Sequence, residues 1–128
     1  MPLPLPSPCP PRANPELHTL REMHKLLSVP RRWCKNNTFR YTADGKRGAC
    51  CLLGAVEHVV GNGRHPTLTE KTMESRIRTR LGRALGLPKP HLRSTIDLAY
   101  WNDHRERKLP EVLALIKKAQ SPRYASRP

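Results

Sequence analysis

The sequence predicts a mainly α-helical single domain of about five helices, with a short β-hairpin or an ordered loop around residues 38–50. Three features support this prediction. The chain has 128 residues, which is the length of one ordinary domain. Apolar residues recur at spacings of three and four along most of the chain, as they do on one face of a helix. Capping residues and prolines flank those stretches, as is typical of helix ends.

The two ends of the chain fall outside the predicted domain, which covers residues 14–120. Half of the 14 prolines fall within residues 1–15, and we predict that residues 1–13 form a disordered, polyproline-like leader. Residues 121–128 are predicted to be a basic, disordered tail. The leader lacks the basic and apolar regions of a signal peptide, and no long apolar run occurs elsewhere. We therefore expect a cytoplasmic protein without a membrane partner.

The first helix is predicted to begin after Asn14, a residue type that is favoured as an N-cap. Pro15 suits the first helical position, and the helix should end before Pro30. The apolar face of this helix consists of Leu17, Leu20, Met23 and Leu27.

A hairpin or ordered loop and a second helix follow. Phe39 and Tyr41 alternate with polar residues, and Asp44–Gly45 is a tight-turn signal. The second helix covers the stretch CCLLGAVEHVV and ends at Gly61. Its apolar stripe consists of Leu52, Ala55, Val56 and Val59.

Capping signals predict the third helix. Thr67 and Glu70 form a capping box, and Gly86 ends the helix. The predicted buried side consists of Met73, Ile77, Leu81 and Ala84 or Leu85.

Two further helices complete the domain. Ser94 and Asp97 are spaced as another cap, which predicts that the fourth helix buries Ile96, Ala99 and Tyr100. The last helix begins at Pro110. Its core-facing stripe consists of Leu109, Val112, Leu113, Ile116 and Ala119.

The charge of the chain favours a polyanionic partner, nucleic acid first and an acidic protein second. The net charge is +14, from 24 basic and 10 acidic side chains. On the outer side of the third helix, guanidinium groups at i, i+4 and i+7 could contact successive phosphates: Arg76, Arg80 and Arg83. A second basic set consists of Arg105, Arg107 and Lys108. The alternative is a solvated face with intrahelical partners, such as Glu74 with Arg78.

The run Trp101-Asn102-Asp103-His104 has a structural and a catalytic interpretation. In the structural one, Trp101 anchors the core, Asn102 stops a helix, Asp103 accepts backbone N–H bonds in a turn and His104 faces water. In the catalytic one, a helix N-terminus activates the Cys51 thiol, and Asn102, Asp103 and His104 supply a base and its orienting group. We favour a structural corner that sets the last helix against the helix after Cys51, and we assign no catalytic residue.

The cysteines predict neither a disulfide framework nor a metal site. In a reducing cytosol we expect free thiols at Cys9, Cys34, Cys50 and Cys51. Their spacing matches no zinc pattern, and we predict no metal and no cofactor.

Several of these residues also carry a resemblance. The segments RRWCKNNTFRYTADGKRGACCLLGAV and YWNDHRERKLPEVLALIKKA contain a Trp before a D-G turn, a C-x-x-G-A helix start and a W-N-D run before the last helix. In this order they resemble a small domain family of unknown function from actinobacteria and their phages, over about residues 15–120. The resemblance supports the fold and the cellular context but implies no catalytic role. It marks a structural motif of Trp33, Gly54, Trp101, Asn102 and Asp103.

These observations predict a small, non-enzymatic, basic accessory protein that binds nucleic acid non-specifically. One alternative is a protein-interaction module, such as a phage product that binds a host factor. The other is a thiol-dependent enzyme that uses Cys51. The sequence leaves the oligomeric state open.

Overall fold

A computed structural model of the chain describes residues 1–125. The predicted fold class is confirmed: the described chain is mainly helical, with five α-helices and a two-stranded antiparallel hairpin. In chain order the elements are α1 (Pro15–Leu27), β1 (Phe39–Tyr41), β2 (Arg47–Cys50), α2 (Leu52–Val60), α3 (Leu68–Leu85), α4 (Pro90–Asp103) and α5 (Leu109–Ala119). Short 3-10 turns cover Pro30–Arg32 and Pro122–Tyr124. The second turn lies in the predicted disordered tail, of which residues 126–128 lie outside the described residues.

Local capping fixes most helix ends where the sequence places them. The Asn14 side chain accepts hydrogen bonds from the backbone N–H groups of Glu16 and Leu17, at 3.0 and 3.2 Å. Thr67 and Glu70 form the predicted capping box of α3. Gly86 ends α3 in the left-handed conformation, at φ +80°.

The buried side of α4 differs from the prediction. Ile96 and Tyr100 are 55% and 74% exposed, and the buried residues of the helix are Ser94, Leu98 and Asn102. Ser94 lies inside the helix rather than at its cap, because α4 begins at Pro90. A close approach to α3 sets the rotation of α4: a Cβ at Gly82 would collide with the Ser94 hydroxyl. The helices can approach closely because Gly82 and Ser94 are both small. The spacing of apolar residues along α4 gives no information about this contact.

All five helices contribute to one core. Its fully buried residues include Leu20, Leu27, Leu52, Val56, Ile77, Leu81, Leu98, Val112 and Ile116. The hairpin packs against this core through Phe39, which pairs with Cys50 in the sheet register.

The N-terminal arm, residues 1–13, lies against the domain, where the sequence predicts a disordered leader. Leu3 is 7% exposed and belongs to the core cluster, and its backbone N–H donates to Arg47 O at 2.7 Å. The carbonyl of Pro4 accepts from Nε2 of the buried His58 at 2.9 Å. The prolines exclude a helix here, but an extended backbone can still bury a side chain between them.

Candidate functional site

The buried side chain of Asn102 joins three distant parts of the chain. Its Oδ1 accepts hydrogen bonds from Trp33 Nε1 at 2.8 Å and from the backbone N–H of Leu52 at 3.1 Å. Its Nδ2 donates to Cys34 O at 3.2 Å and to Asp103 Oδ1 at 3.0 Å. Asn102 is 0% exposed. Its polar atoms are therefore satisfied by the loop after α1, the start of α2 and the end of α4.

Residues near Trp33 and Asn102 add hydrogen bonds at the same corner, which is the junction of the loop after α1, the start of α2 and the end of α4. Asp103 Oδ1 accepts from the backbone N–H of Asn36 at 2.8 Å, and Asn36 has a positive φ of 67°. The Lys35 ammonium donates to His104 O at 2.8 Å and to Arg105 O at 3.2 Å. Each of these contacts joins the loop after α1 to the end of α4 or to the residues just after it. The run from Trp101 to His104 thus lies beside the start of α2, in a network of structural hydrogen bonds.

The C-x-x-G-A segment meets this corner through close backbone contacts. Cys51 is the N-cap of α2, and its Sγ accepts from the Gly54 N–H at 3.4 Å. The Cys51 N–H donates to Thr38 O at 3.1 Å. A Cβ at Gly54 would collide with that same carbonyl and would lie 2.8 Å from the Cys50 Cβ. Glycine is therefore needed where the hairpin crosses the start of α2.

The electrostatics of the three buried cysteines oppose thiolate formation. Burial raises the pKa of the Cys51 thiol, and the nearby Asp103 carboxylate raises it further. Backbone N–H groups at the helix start lower that pKa, but the effect of burial is larger. Burial also raises the pKa of Cys34 and of Cys50. A thiol nucleophile needs the opposite surroundings, namely a positive and partly exposed environment.

Arg80 is inside the protein, which corrects the expectation that it lies in a surface row with Arg76 and Arg83. It is 1% exposed. Its Nε donates to Ala119 O at 2.5 Å, and its Nη1 pairs with Glu16 at 3.0 Å. Because α1 and α5 both pack on this side of α3, position 80 is covered by neighbours although its spacing from Arg76 suggests solvent.

The other basic candidates have different surroundings. Arg76, Arg105 and Lys108 are exposed. Arg83 is half-buried and donates to Ala125 O at 3.3 Å. Arg107 stacks 4.0 Å from the centre of the Trp101 ring. It also donates to the Trp101 carbonyl at 2.8 Å and pairs with Glu111 at 2.9 Å. The structure does not gather these residues into a single cluster.

A basic groove between α1 and α5 was missed by the sequence analysis. It has a volume of about 260 Å³ and is lined by Arg21, His24, Lys117 and Gln120. Arg21 and His24 lie on α1, Lys117 lies in the last turn of α5 and Gln120 is its C-cap; the i, i+3 spacing of each pair is visible in the sequence. Nothing in the sequence indicates that the two pairs face each other, since they are almost a hundred residues apart.

Residues 1–125 contain neither a metal-binding arrangement nor a membrane-spanning helix. Among residues 1–125, no group of three or more His, Cys, Asp or Glu side chains is arranged to hold a metal ion. None of the helices in that range is long and apolar enough to cross a membrane.

Comparison with known proteins found a family to which the chain is similar. The model of a family of unknown function, DUF6197, matches residues 11–121. No curated protein and no solved structure matches the chain.

Proposed function

Because this chain belongs to DUF6197, a family of unknown function, we propose its function from the placement of its charges. The protein is a small, non-enzymatic accessory protein that binds nucleic acid non-specifically through its basic surface.

The observation that carries this proposal is the large excess of positive side chains over their internal partners. Basic side chains number 24 and carboxylates 10. Most of those carboxylates already serve the fold, as caps or in ion pairs. The described chain has ion pairs from carboxylates to Arg64, Arg78, Arg80, Arg93 and Arg107. The remaining charge faces solvent, where it attracts a polyanion and is screened by salt.

The proposed contacts are the exposed members of the two predicted sets, Arg76, Arg105 and Lys108, together with the half-buried Arg83. Arg80 is left out because its donors are used inside the protein. Arg107 is secondary, since Trp101 and Glu111 hold its guanidinium group.

A salt titration of duplex DNA binding tests the proposal. We expect measurable binding at low salt and a log–log dependence on salt with a slope of about −0.9 for each phosphate contacted. The double variant Arg76→Ala/Lys108→Ala should flatten this slope by about 2. The control Arg40→Ala/Lys71→Ala removes the same charge from other exposed positions. Absence of binding by the wild type at low salt would refute the proposal.

A second candidate, a protein-interaction module, is supported by the outer face of α4. Leu92, Ile96 and Tyr100 follow one another at i, i+4 and i+8 and are 71%, 55% and 74% exposed. Such a face suits a hydrophobic groove on a partner protein. A pull-down that retrieves one protein stoichiometrically after nuclease treatment would favour this function over nucleic-acid binding. The variant Leu92→Ser/Ile96→Ser should lose this protein, and the variant Arg76→Ala/Lys108→Ala should still bind it.

Thiol catalysis is not proposed. Cys51 is 5% exposed, and its pKa is raised by burial. The sulfur atom is also used as the cap acceptor of α2.

A further inference from the structure

We infer that the groove between α1 and α5 is a phosphate-binding site and that the nucleic acid backbone supplies its ligand. This inference rests on the proposed function and identifies the part of the basic surface that binds a phosphate group.

The lining of the groove is made of hydrogen-bond donors on α1 and at the end of α5. Arg21 and His24 lie one turn apart on α1, and Lys117 and Gln120 lie one turn apart at the end of α5. A guanidinium, an ammonium and an amide group can all donate to phosphate oxygens, and the imidazole adds a donor. The volume of about 260 Å³ leaves room for a phosphate group together with bridging water.

No carboxylate lines the groove in the described chain. Glu22, the residue after Arg21, faces the other side of α1, where it accepts from the Ser7 N–H at 2.5 Å. Glu16 lies five residues before Arg21 and pairs with Arg80 at 3.0 Å. No lining residue of the groove therefore repels an anion.

Arg80 removes a further source of repulsion. The C-terminal end of a helix presents partly negative carbonyl groups, which disfavour an anion nearby. Arg80 donates to three carbonyls at the end of α5: those of Ala119, Gln120 and Ser121, at 2.5, 3.1 and 3.3 Å. Its ion pair with Glu16 also ties that end to α1. Arg80 is thus a positioning residue that fixes both walls of the groove.

Further cations follow the groove residues Lys117 and Gln120 in the chain. Lys118 follows Lys117 in the chain, and its ammonium lies 6.0 Å from the centre of the Tyr124 ring. The Arg123 guanidinium lies 5.7 Å from the same ring. These cations add to the positive charge at this end of α5, which attracts a nucleic acid backbone.

The test compares Arg21→Ala/Lys117→Ala with the control Arg40→Ala/Lys71→Ala. All four positions are exposed, and circular dichroism spectra and melting temperatures should match the wild type. Duplex DNA binding is titrated with salt, and inorganic pyrophosphate is titrated separately while backbone amide NMR shifts are followed. We expect the groove variant to flatten the salt slope by about 2 and the control to do so much less. Pyrophosphate should shift amides around residues 21–24 and 117–120 in the wild type and in the control, but not in the groove variant.

The outcomes separate the two proposals. If the wild type binds duplex DNA and both double variants lose the same slope, the groove inference is overturned while the proposed function stands. If the wild type binds no DNA at low salt, the proposed function fails. If pyrophosphate binding then depends on Arg21 and Lys117, the groove is a phosphate site, but the inference that nucleic acid supplies its ligand is overturned. Absence of both kinds of binding would overturn both proposals.

Discussion

Replacing Asn102 by alanine should destabilise the protein more than any other single polar truncation at the corner between α2 and α4. The change removes a side chain that is 0% exposed and makes four hydrogen bonds. Three partner groups lose their bonds to it: the indole N–H of Trp33, the backbone N–H of Leu52 and the carbonyl of Cys34. Asp103 keeps its other bond, to the backbone N–H of Asn36.

The size of the effect follows from these orphaned groups. A buried polar group left without a partner costs about 1–3 kcal/mol. Three such groups at the lower end, with some rescue by water that enters the space, give a loss of about 3 kcal/mol in the free energy of unfolding. Trp33→Phe removes one donor and leaves Asn102 Oδ1 bound to Leu52, so its hydrogen-bond loss should be about 1 kcal/mol.

Urea denaturation followed by tryptophan fluorescence measures these differences. Asn37→Ala is the matched control, because Asn37 is an exposed asparagine four residues from Trp33. Its free energy of unfolding should stay within about 0.5 kcal/mol of the wild type. A loss below 1 kcal/mol for Asn102→Ala, with an unchanged m-value, would show that the network does not hold the corner.

Three more predictions concern the glycines at two helix ends, the cysteine thiols and the buried His58. Gly54→Ala should cost about 3 kcal/mol or more, because its Cβ collides with backbone. Gly86→Ala should cost about 1 kcal/mol, because its Cβ meets nothing within 4 Å and only the positive φ is strained; thermal denaturation compares the two. Iodoacetamide near neutral pH should modify the exposed Cys9 first and Cys51 much more slowly, as mass spectrometry of peptides would show. Burial lowers the pKa of His58 below its usual 6.5, so the unfolded chain binds the proton more readily. The free energy of unfolding should therefore fall as the pH drops below about 6.5, and this fall should be smaller in His58→Asn.

Each of these predictions has a contrary result. Equal melting temperatures for Gly54→Ala and Gly86→Ala would contradict the close contact at the start of α2. If Cys51 is labelled as fast as Cys9, the result would favour the interpretation of the protein as a thiol-dependent enzyme. An identical fall in stability between pH 7.5 and pH 5.5 with and without His58 would mean that this histidine does not carry the pH dependence.

The helices were predictable because their signals are local. The Asn14 cap, the Thr67–Glu70 capping box and the Gly86 stop act on residues within one turn, and each is found where the sequence places it. The turn at Asp44–Gly45 has the same character, since a glycine with φ +81° suits a tight hairpin. Local chemistry also indicated that the run from Trp101 to His104 is a corner, although not that Asn102 is its centre.

The sequence by itself determined the helical fold class, the family resemblance and the excess of positive charge, because each depends on residue type and short spacing. Only the tertiary structure decided which of those residues reach the solvent. Arg76 and Arg80 lie one turn apart on α3, yet one is exposed and the other is closed in by Glu16 and the end of α5. Ile96 and Tyr100 face outward because the contact between Gly82 and Ser94 sets the rotation of α4. The groove between α1 and α5 arises for the same reason: packing brings together residues that are distant in the chain, and helical periodicity carries no information about the neighbour.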